Sequence, residues 1–306
     1  MTSSFVLRAP TDDDVPALVA LGNGEMLERG DPATAGPADI HVRWGYPSYD
    51  REQHERVAVV DGQVSGVSVL FCEGGQAHGG GWVDPTFRGR GIGRALLDQI
   101  IATARAEPNV SELHIWAGVR IAGAIDLVEA TPGAEYLRTF VHMVNDAPGR
   151  VGPPMWPEGI ELRPLDGPAL IDAVIEAHDN SFVDHWNFIP SPRAEWEHEL
   201  AAPTEDPSLW FIAFAGEQVA GFTICRLKRG DGVVQGSLGP IGTTRGFRGI
   251  GLGRALLRHG VRALVERGAT SVVLGVDLEN PNGALGLYER NGFVRSGGGR
   301  VYHIKY

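Results

Sequence analysis

The sequence predicts an α/β protein that contains two consecutive domains of the same fold, each of roughly 150 residues. Residues 87–97 and 247–257 lie 160 positions apart and are identical at nine of eleven positions. In both copies an alternating hairpin-like segment precedes the shared block, and an amphipathic helix and an apolar strand follow it. The offset is too long for a solenoid repeat and equals about one domain, so two copies of a single fold are expected.

The local pattern supports the same elements in both halves. Opening strands are expected at 5–8 and 160–163, each followed by an acidic, proline-containing helix start at 11–16 and 165–168. Hairpins are expected around the turns in 57–69 and 210–222, and apolar strands at 112–116 and 271–276. The helices after the shared block present apolar faces formed by Leu96, Leu97, Ile100, Ile101 and Ala104, and by Leu256, Leu257, Val261, Leu264 and Val265.

Composition excludes several classes of function. The 306 residues carry 27 Lys plus Arg and 38 Asp plus Glu, a net charge of −11, which opposes binding to nucleic acid phosphates. Cys72 and Cys225 lie in apolar strand-like contexts, which indicates buried thiols in a reducing cytoplasm and no disulfide framework. No stretch approaches ~18 apolar residues, so neither a membrane span nor an export signal is expected.

The glycine block has the composition of a phosphate-binding turn. A strand-like segment, 237–243, leads into Arg248-Gly-Ile-Gly-Leu-Gly253 and then a helix, so backbone N–H groups and the positive helix end converge. A dinucleotide fingerprint requires glycine where Leu256 stands, and a P-loop requires a lysine that is absent. A tight strand-to-helix turn alone also explains one such motif. The second copy, and arginine at 94 and 254, favour phosphate binding.

The pattern Arg-x-x-Gly-x-Gly, between a strand and an amphipathic helix in both halves, resembles the coenzyme-A-binding motif of the GCN5-related N-acetyltransferases, the GNAT family. The resemblance covers nearly the whole chain and implies two tandem GNAT domains. Each is expected to be a mixed, mostly antiparallel sheet flanked by helices, whose fourth and fifth strands splay where acetyl-CoA enters. Expected bounds are 1–145 for the first domain, 146–159 for a Pro/Gly-rich linker and 160–306 for the second domain.

The resemblance assigns coenzyme-binding residues to both copies, at the strand end and in the glycine block. In the second copy these are Ile241, Gly242, Thr243, Arg248, Gly249, Ile250, Gly251, Leu252, Gly253, Arg254 and Asn280. In the first copy they are Val83, Arg88, Gly89, Arg90, Gly91, Ile92, Gly93 and Arg94. Backbone groups of Ile241 and Thr243 are expected to hold the pantetheine arm as an added strand does.

The resemblance also suggests which copy is catalytic. Residues 279–293 are similar to the family signature that places a phenol beside the coenzyme sulfur, which makes Tyr288 the expected acid for the departing thiolate. A Leu-Tyr pair on a core helix is the alternative. The family asparagine lies seven residues before the tyrosine, whereas Asn280 lies eight and Asn282 six before it. The first copy has Val128 at the tyrosine position, so it is predicted to be a noncatalytic scaffold or binding domain.

The sequence offers several candidates for the general base that deprotonates the amine, in contrast to the single candidate for the acid. Tandem relatives that make mycothiol carry a glutamate on the fourth strand, where this chain has Ser237. His185 and Asp184 are candidates to deprotonate or orient an amine, with Trp186 and Phe188 as pocket walls, although packing and capping explain such residues equally well. His303 and a water relay are further alternatives. No metal-ligand spacing occurs among the histidines and cysteines, so no metal is expected.

The predicted function is therefore direct transfer of acetyl from acetyl-CoA to a primary amine in a ternary complex. A small-molecule amine is the expected partner, neither nucleic acid nor membrane is expected to be one, and a homo-oligomer is compatible with the sequence. The alternatives are a noncatalytic acyl-CoA sensor, a longer acyl group or hydroxyl acceptor, and acetylation of an amino-sugar thiol precursor as in mycothiol synthesis.

Overall fold

The computed structural model describes residues 4–165, 170–230, 232–280 and 283–305. It divides into two compact units. The first unit comprises Met1–Phe140 with Gly297–Tyr306, and the second unit comprises Val141–Ser296. This division differs from the expected bounds of 1–145 and 160–306, because the strand 294–304 pairs with a strand of the first unit.

The first unit is built on a mixed sheet. Its strands are β1 (Phe5–Arg8), β2 (Glu55–Val60), β3 (Gln63–Glu73), β4 (Gln76–Val83), β5 (Glu112–Gly118) and most of β12 (Val294–Ile304), in the order β1-β2-β3-β4-β5-β12. Its helices are α1 (Val15–Arg29), α2 (Pro37–Trp44), α3 (Arg51–His54), α4 (Ile92–Ala106) and α5 (Ala124–Glu129). Strands β4 and β5 are parallel, and the other pairs are antiparallel.

The second unit repeats this plan. Its strands are the end of β6 (Ala134–Asn145), then β7 (Ile160–Pro164), β8 (Trp210–Ala215), β9 (Gln218–Gly230), β10 (Val233–Thr243) and β11 (Ser271–Asp277), in the order β6-β11-β10-β9-β8-β7. Its helices are α6 (Ile171–Phe182), α7 (Arg193–Ala201), α8 (Leu252–Glu266) and α9 (Ala284–Glu289). The expected helix start at 166–168 and Asn282 lie outside the described residues.

The local expectations for these elements are confirmed. Asp61 and Gly62 both have positive φ, at 48° and 83°, as a two-residue hairpin turn between β2 and β3 requires. Helices α4 and α8 bury the predicted apolar stripes against the sheets, although Ile101 and Val265 lie at the margins of these faces and are only partly buried. Burial of such a stripe is what stabilises an amphipathic helix of this length.

In both units the sheet opens at the same point. Pairing of β4 with β5 ends at Gly79 and Ile115, although both strands continue. Pairing of β10 with β11 ends at Ser237 and Val273, whereas β10 runs on to residue 243. The predicted splay of the fourth and fifth strands is therefore present in each copy.

The two units differ at the strand before the glycine block. The β9–β10 pairing has a register shift between Leu238 and Ile241, which is a β-bulge, whereas the β3–β4 pairing is continuous. Bulges redirect the backbone and occur frequently beside active sites. Only the second unit, within the described residues, therefore has an interrupted ladder at the mouth of its splay.

The segment 146–159 contains a single turn of 3₁₀ helix, Pro148–Arg150, and no strand. It is nevertheless packed, because Val151 is buried in a core of the second unit and Trp156 contacts another. The carbonyl of Pro153 accepts a hydrogen bond from Arg258 at 3.3 Å. Residues of the expected linker thus pack as part of the second unit.

The cysteines and the helices bear on two further expectations. Cys225 is fully buried, and burial raises the pKa of its thiol to about 12. Cys72 is only partly buried, which departs from the expectation for it, and its thiol pKa is raised to about 11.

Among the described residues, every helix is too short or too polar to cross a membrane.

Candidate functional site

The two glycine blocks form the same turn. Gly89 and Gly91 have φ of 74° and 85°, and Gly249 and Gly251 have φ of 80° and 90°. These values lie in the left-handed region, which L side chains adopt at a cost. Gly91 and Gly251 immediately precede the first residues of α4 and α8, so the turn aims free backbone N–H groups outward at a helix N-terminus.

The first arginine of each motif fastens the turn to the preceding strand. Arg88 Nε donates to the carbonyl of Val83 at 3.0 Å, and Arg248 Nε donates to the carbonyl of Thr243 at 3.4 Å. These guanidinium groups therefore hold the loop in its shape, a contact different from the phosphate binding predicted for them.

Each of these arginines also meets a carboxylate near the end of the first helix of its unit. Arg88 forms two hydrogen bonds with Glu28, at 2.7 and 2.5 Å. Arg248 NH1 donates to Asp184 at 3.2 Å, and Arg245 forms a second ion pair with the same carboxylate. These pairs lower the pKa of Asp184, so the group predicted as a base or orienting residue is an ionised carboxylate occupied by two arginines.

The other three arginines of the two glycine blocks differ in whether their side chains already make hydrogen bonds. Arg94 donates to Thr131 Oγ1 at 2.9 Å and to the carbonyl of Leu127, which ties α4 to α5. Arg90 is exposed and donates to the carbonyl of Thr86 at 3.3 Å. Arg254 is exposed and, within the described part of the chain, makes neither a hydrogen bond nor an ion pair. Of these three side chains, Arg254 is the one left open to an incoming phosphate.

The strand end in the second unit has an open edge. Ile241, Gly242 and Thr243 pair with β9 on one side only, because β11 has already separated from β10. Such an edge presents main-chain donors and acceptors to an extended ligand. Gly242 has a packing role as well, since a Cβ there would lie 2.5 Å from both Ser181 Cβ and Phe222 Cε1.

Tyr288 lies on α9 and packs against the same hydrophobic cluster as Ile241. Its ring makes an edge contact with Phe293, with centroids 6.2 Å apart. Within the described residues its hydroxyl makes no hydrogen bond, and desolvation raises the pKa of the phenol. The phenol is therefore protonated at neutral pH and free to donate.

The structure brings together two residues that the sequence predicted separately. Asn280 Nδ2 lies 3.3 Å from His185 Nε2, so the loop after β11 meets the segment after α6. His185 also contacts the Phe182 ring, with centroids 5.5 Å apart. Phe188, expected as a pocket wall, instead packs on His178 at 5.6 Å.

Comparison with known proteins identifies this architecture. The family profile described as "Acetyltransferase (GNAT) family" matches residues 171–293, and the "Acetyltransferase (GNAT) domain" profile matches residues 53–130. A mycothiol acetyltransferase from Rhodococcus erythropolis is 31% identical over 219 residues, which cover 70% of this chain and 71% of that protein. The chain belongs to the GNAT family.

Two further comparisons extend over nearly the whole of this tandem GNAT acyltransferase. A mycothiol acetyltransferase from Geodermatophilus obscurus is 28% identical over 296 residues, covering 92% of this chain and 91% of that protein. A GCN5-related N-acetyltransferase structure from Sphaerobacter thermophilus gives a TM-score of 0.76 at 26% identity, covering 98% and 95% of the two chains. Acetyl-CoA is the donor used by the family.

The first GNAT unit contains a cavity of about 330 Å³ where β4 and β5 separate. It runs from the glycine block, including Arg88 and Arg94, to an apolar interior that includes Leu97, Ile115 and Val128. Its lining contains no aspartate, glutamate, histidine, tyrosine or cysteine. Val128 thus forms an apolar wall at the position that corresponds to Tyr288.

Sequence reasoning missed Glu28. Its carboxylate accepts hydrogen bonds from Arg88, from Trp82 Nε1 at 2.9 Å and from the Ala122 amide at 3.3 Å. The three donors belong to residues that line the cavity of the first GNAT unit, and the Arg88 pair lowers the Glu28 pKa to about 2. The repeat gave no signal for this role, because at the offset of 160 Glu28 corresponds to Phe188 and Asp184 to Gly24.

Three histidines of the first GNAT unit lie in a row across β4, β5 and β12. The ring centroids of His78 and His114 are 5.1 Å apart, and those of His114 and His303 are 5.6 Å apart. No cluster of metal-ligating side chains is found in the described residues. His303, an alternative base, belongs to this row in the first unit.

Proposed function

We propose that the second unit transfers an acetyl group from acetyl-CoA to a primary amine of a small molecule. The observation that carries the proposal is the protonated, unpartnered phenol of Tyr288, packed on the same cluster as the open end of β10. The interrupted ladder between Leu238 and Ile241 supports the same unit, because it frees backbone groups where the strands separate.

The residues present fit the donor. The left-handed glycines at 249 and 251 and the start of α8 offer amides to a pyrophosphate, with exposed Arg254 beside them. The open edge at 241–243 offers main-chain groups to the amide-containing pantetheine arm. When bound, acetyl-CoA supplies an activated thioester carbonyl and a thiolate leaving group.

The chemistry then needs one proton donated to sulfur and two protons removed from nitrogen. The free amine nitrogen attacks the thioester carbonyl carbon, a C–N bond forms, and the C–S bond breaks with its electron pair on sulfur. Tyr288 donates its phenolic proton to that sulfur and recovers a proton from solvent. The acceptor nitrogen loses one proton before attack and one as the amide forms, and a base or water takes them.

His185 is a candidate for the proton taken from the amine. Its Nε2 already contacts the Asn280 side chain at 3.3 Å, so proton uptake at this nitrogen requires that contact to break. Asp184 supports this segment through its arginine pairs and takes no proton itself in the proposal.

The acceptor is proposed as a small primary amine. The curated relatives described above are named mycothiol acetyltransferases, which makes an amino-sugar thiol the first acceptor to test. Ser237, at the position where tandem relatives that make mycothiol are expected to carry a glutamate, implies that any such activity uses a base from another element of the second unit.

For the first unit we infer coenzyme binding without turnover. Its cavity combines a glycine block with an apolar interior, and no lining side chain serves as an acid or base for transfer. A fragment of residues 1–145 alone lacks β12, so the full chain is the correct sample for this test.

The experiment is a transfer assay with the full chain, acetyl-CoA and a panel containing glucosamine, a polyamine, an amino-sugar thiol and a peptide with a free N-terminus. Acetylated product is detected by mass spectrometry. Tyr288→Phe is expected to lower kcat by about 100-fold or more with unchanged coenzyme affinity. Tyr136→Phe, at an exposed phenol of the first unit, is the matched control and is expected to retain activity. Coenzyme binding without any product supports the sensor alternative and contradicts the proposal.

A further inference from the structure

We propose that Glu199 of α7 is the general base that takes a proton from the amine acceptor of the second unit, an assignment that rests on the proposed acetyl transfer. Two carboxylates and one guanidinium, Glu199, Glu205 and Arg226, form a cluster that neither the glycine block nor the Tyr288 region uses. We refer to these three side chains as the acidic cluster.

Arg226 organises the acidic cluster. Its Nε donates to Glu205 Oε1 at 2.6 Å, and its NH2 donates to Glu199 Oε1. Its NH1 lies over Gly239, because a Cβ at that glycine would be 2.9 Å away. One rigid guanidinium therefore connects Glu199 to the bulged part of β10.

The cluster lies on the face of the sheet opposite α8. Arg226 is the direct strand partner of Ser237, so both side chains project from the same face. The neighbouring residues of β10 face α8: a Cβ at Gly236 would meet Leu264, and Leu238 lies against Gly260. Glu199 therefore lies on the sheet face opposite α8, the face on which α6 packs, and Arg226 links it to the level of Ser237, where the pairing of β10 with β11 ends.

The two carboxylates differ in exposure and in the number of hydrogen bonds that they accept. Glu205 accepts from Arg226 and from Trp210 Nε1 at 3.0 Å, and its side chain is 6% exposed. The Glu199 side chain is 28% exposed, and within the described part of the chain its Oε2 accepts no hydrogen bond. Glu205 thus holds Arg226 in place, while Glu199 retains an accessible oxygen for a proton.

The charge of the cluster suits an amine. One arginine and two carboxylates have a formal charge of −1 beside the bulge, which attracts an ammonium group. Burial and the charge of Glu205 raise the pKa of Glu199, while Arg226 and His198 oppose the increase, so the carboxylate is a better proton acceptor than an exposed glutamate.

This placement accounts for Ser237. A glutamate at position 237 would project toward the same face as Arg226, and this chain provides a carboxylate there from α7 instead. Glu199 takes the proton from the ammonium nitrogen and leaves its lone pair for attack on the thioester carbon. The C–S electron pair leaves with sulfur and receives the proton of Tyr288, and the second nitrogen proton passes to water as the amide forms, so an amide and a thiol are the products.

The test uses the full chain with acetyl-CoA and the best amine of the transfer panel. Glu199→Gln is expected to lower kcat by about 100-fold, with coenzyme affinity unchanged. The variant is also expected to lose the acidic limb of the pH profile that Glu199 sets. Its rate should instead rise at the higher pH at which the amine itself loses a proton. Glu197→Gln on the same helix, where the exposed carboxylate pairs with Arg193, is the matched control.

Two more variants make the result decisive. Glu199→Asp keeps the carboxylate and is expected to restore part of the rate and the acidic limb, which also covers the case in which Glu199→Gln does not fold. His185→Gln should leave that limb in place. A Glu199→Gln profile that matches wild type, or an acidic limb lost only in His185→Gln, overturns the assignment. Absence of product from the wild-type chain with every amine overturns the proposed transfer and the Glu199 assignment together.

Discussion

Glu28 and Arg88 form a two-point ion pair that joins the end of α1 to the glycine block of the first unit, at 2.7 and 2.5 Å. Asp184 and Arg248 make the corresponding contact in the second unit at 3.2 Å. Bidentate pairs restrict both partners more than single contacts do. The first arginine of each motif therefore shapes the loop in both copies, with a carboxylate supplied by the preceding helix region.

Glu28→Gln should weaken coenzyme binding in the first unit. The neutral amide has one acceptor oxygen instead of two and no charge, so it cannot serve Arg88, Trp82 and Ala122 together. We expect an affinity loss of about 10-fold at one of two sites, measured by isothermal titration calorimetry of the full chain. Glu25→Gln, one turn earlier and paired with Arg29 at 3.5 Å, should leave both affinities unchanged. Equal binding curves for Glu28→Gln and wild type would contradict the bracing role.

Gly91→Ala and Gly251→Ala should each disable one coenzyme site. Neither added methyl group would clash, because the nearest atom is Arg254 NH2, 3.9 Å from a Cβ at position 251. The expected effect therefore comes from backbone strain at φ of 85° and 90°. The left-handed conformation costs a non-glycine residue about 1 kcal/mol or more. Titration should fall from two coenzymes per chain to one in either variant, and only Gly251→Ala should lower acetyl transfer. Gly246→Ala, equally open and without positive φ, is the control.

Gly242→Ala should destabilise the second unit by about 1–3 kcal/mol. The new Cβ would overlap Ser181 Cβ and Phe222 Cε1, each at 2.5 Å, and would push α6 away from β10. Urea denaturation measures the change in the free energy of unfolding. Gly275→Ala in β11, where a Cβ has open space, should unfold as wild type does. A Gly242→Ala protein as stable as Gly275→Ala would show that α6 shifts without cost.

The first unit should lose stability on mild acidification through His114. Burial, and the charges of His78 and His303, lower the pKa of this histidine from 6.5 to about 4. The unfolded chain therefore binds the proton more readily, so the contribution of His114 is fully present above pH 6.5 and is lost as the pH falls toward 4. His114→Gln should flatten the unfolding free energy over this range, measured by urea denaturation at several pH values. Parallel curves for the variant and wild type would contradict this.

Much of the fold follows from local pattern. The repeated glycine block, the hairpin turns and the buried stripes of α4 and α8 all involve residues close in sequence, so periodicity and turn chemistry reveal them. The splay of the strands in each unit, expected from the family resemblance, is also present.

The contacts that pattern could not reveal join distant residues. Glu28 and Arg88 are 60 positions apart, and Arg226 reaches back 27 positions to Glu199. A charged side chain on a helix has many possible partners before the sheet registers are known. For the same reason the sequence suggested Asp184 as a catalytic group, although its carboxylate forms ion pairs with Arg245 and Arg248.

The position of β12 affects the order in which the protein can fold during synthesis. The ribosome makes residues 299–304 after the whole of the second unit, yet these residues pair with β5 of the first. Until they emerge, the nascent first unit has an uncovered strand edge along residues 113–118, the kind of surface that binds chaperones or aggregates. The second copy is thus built from one continuous segment, whereas the first copy requires a strand that the chain supplies only after that segment.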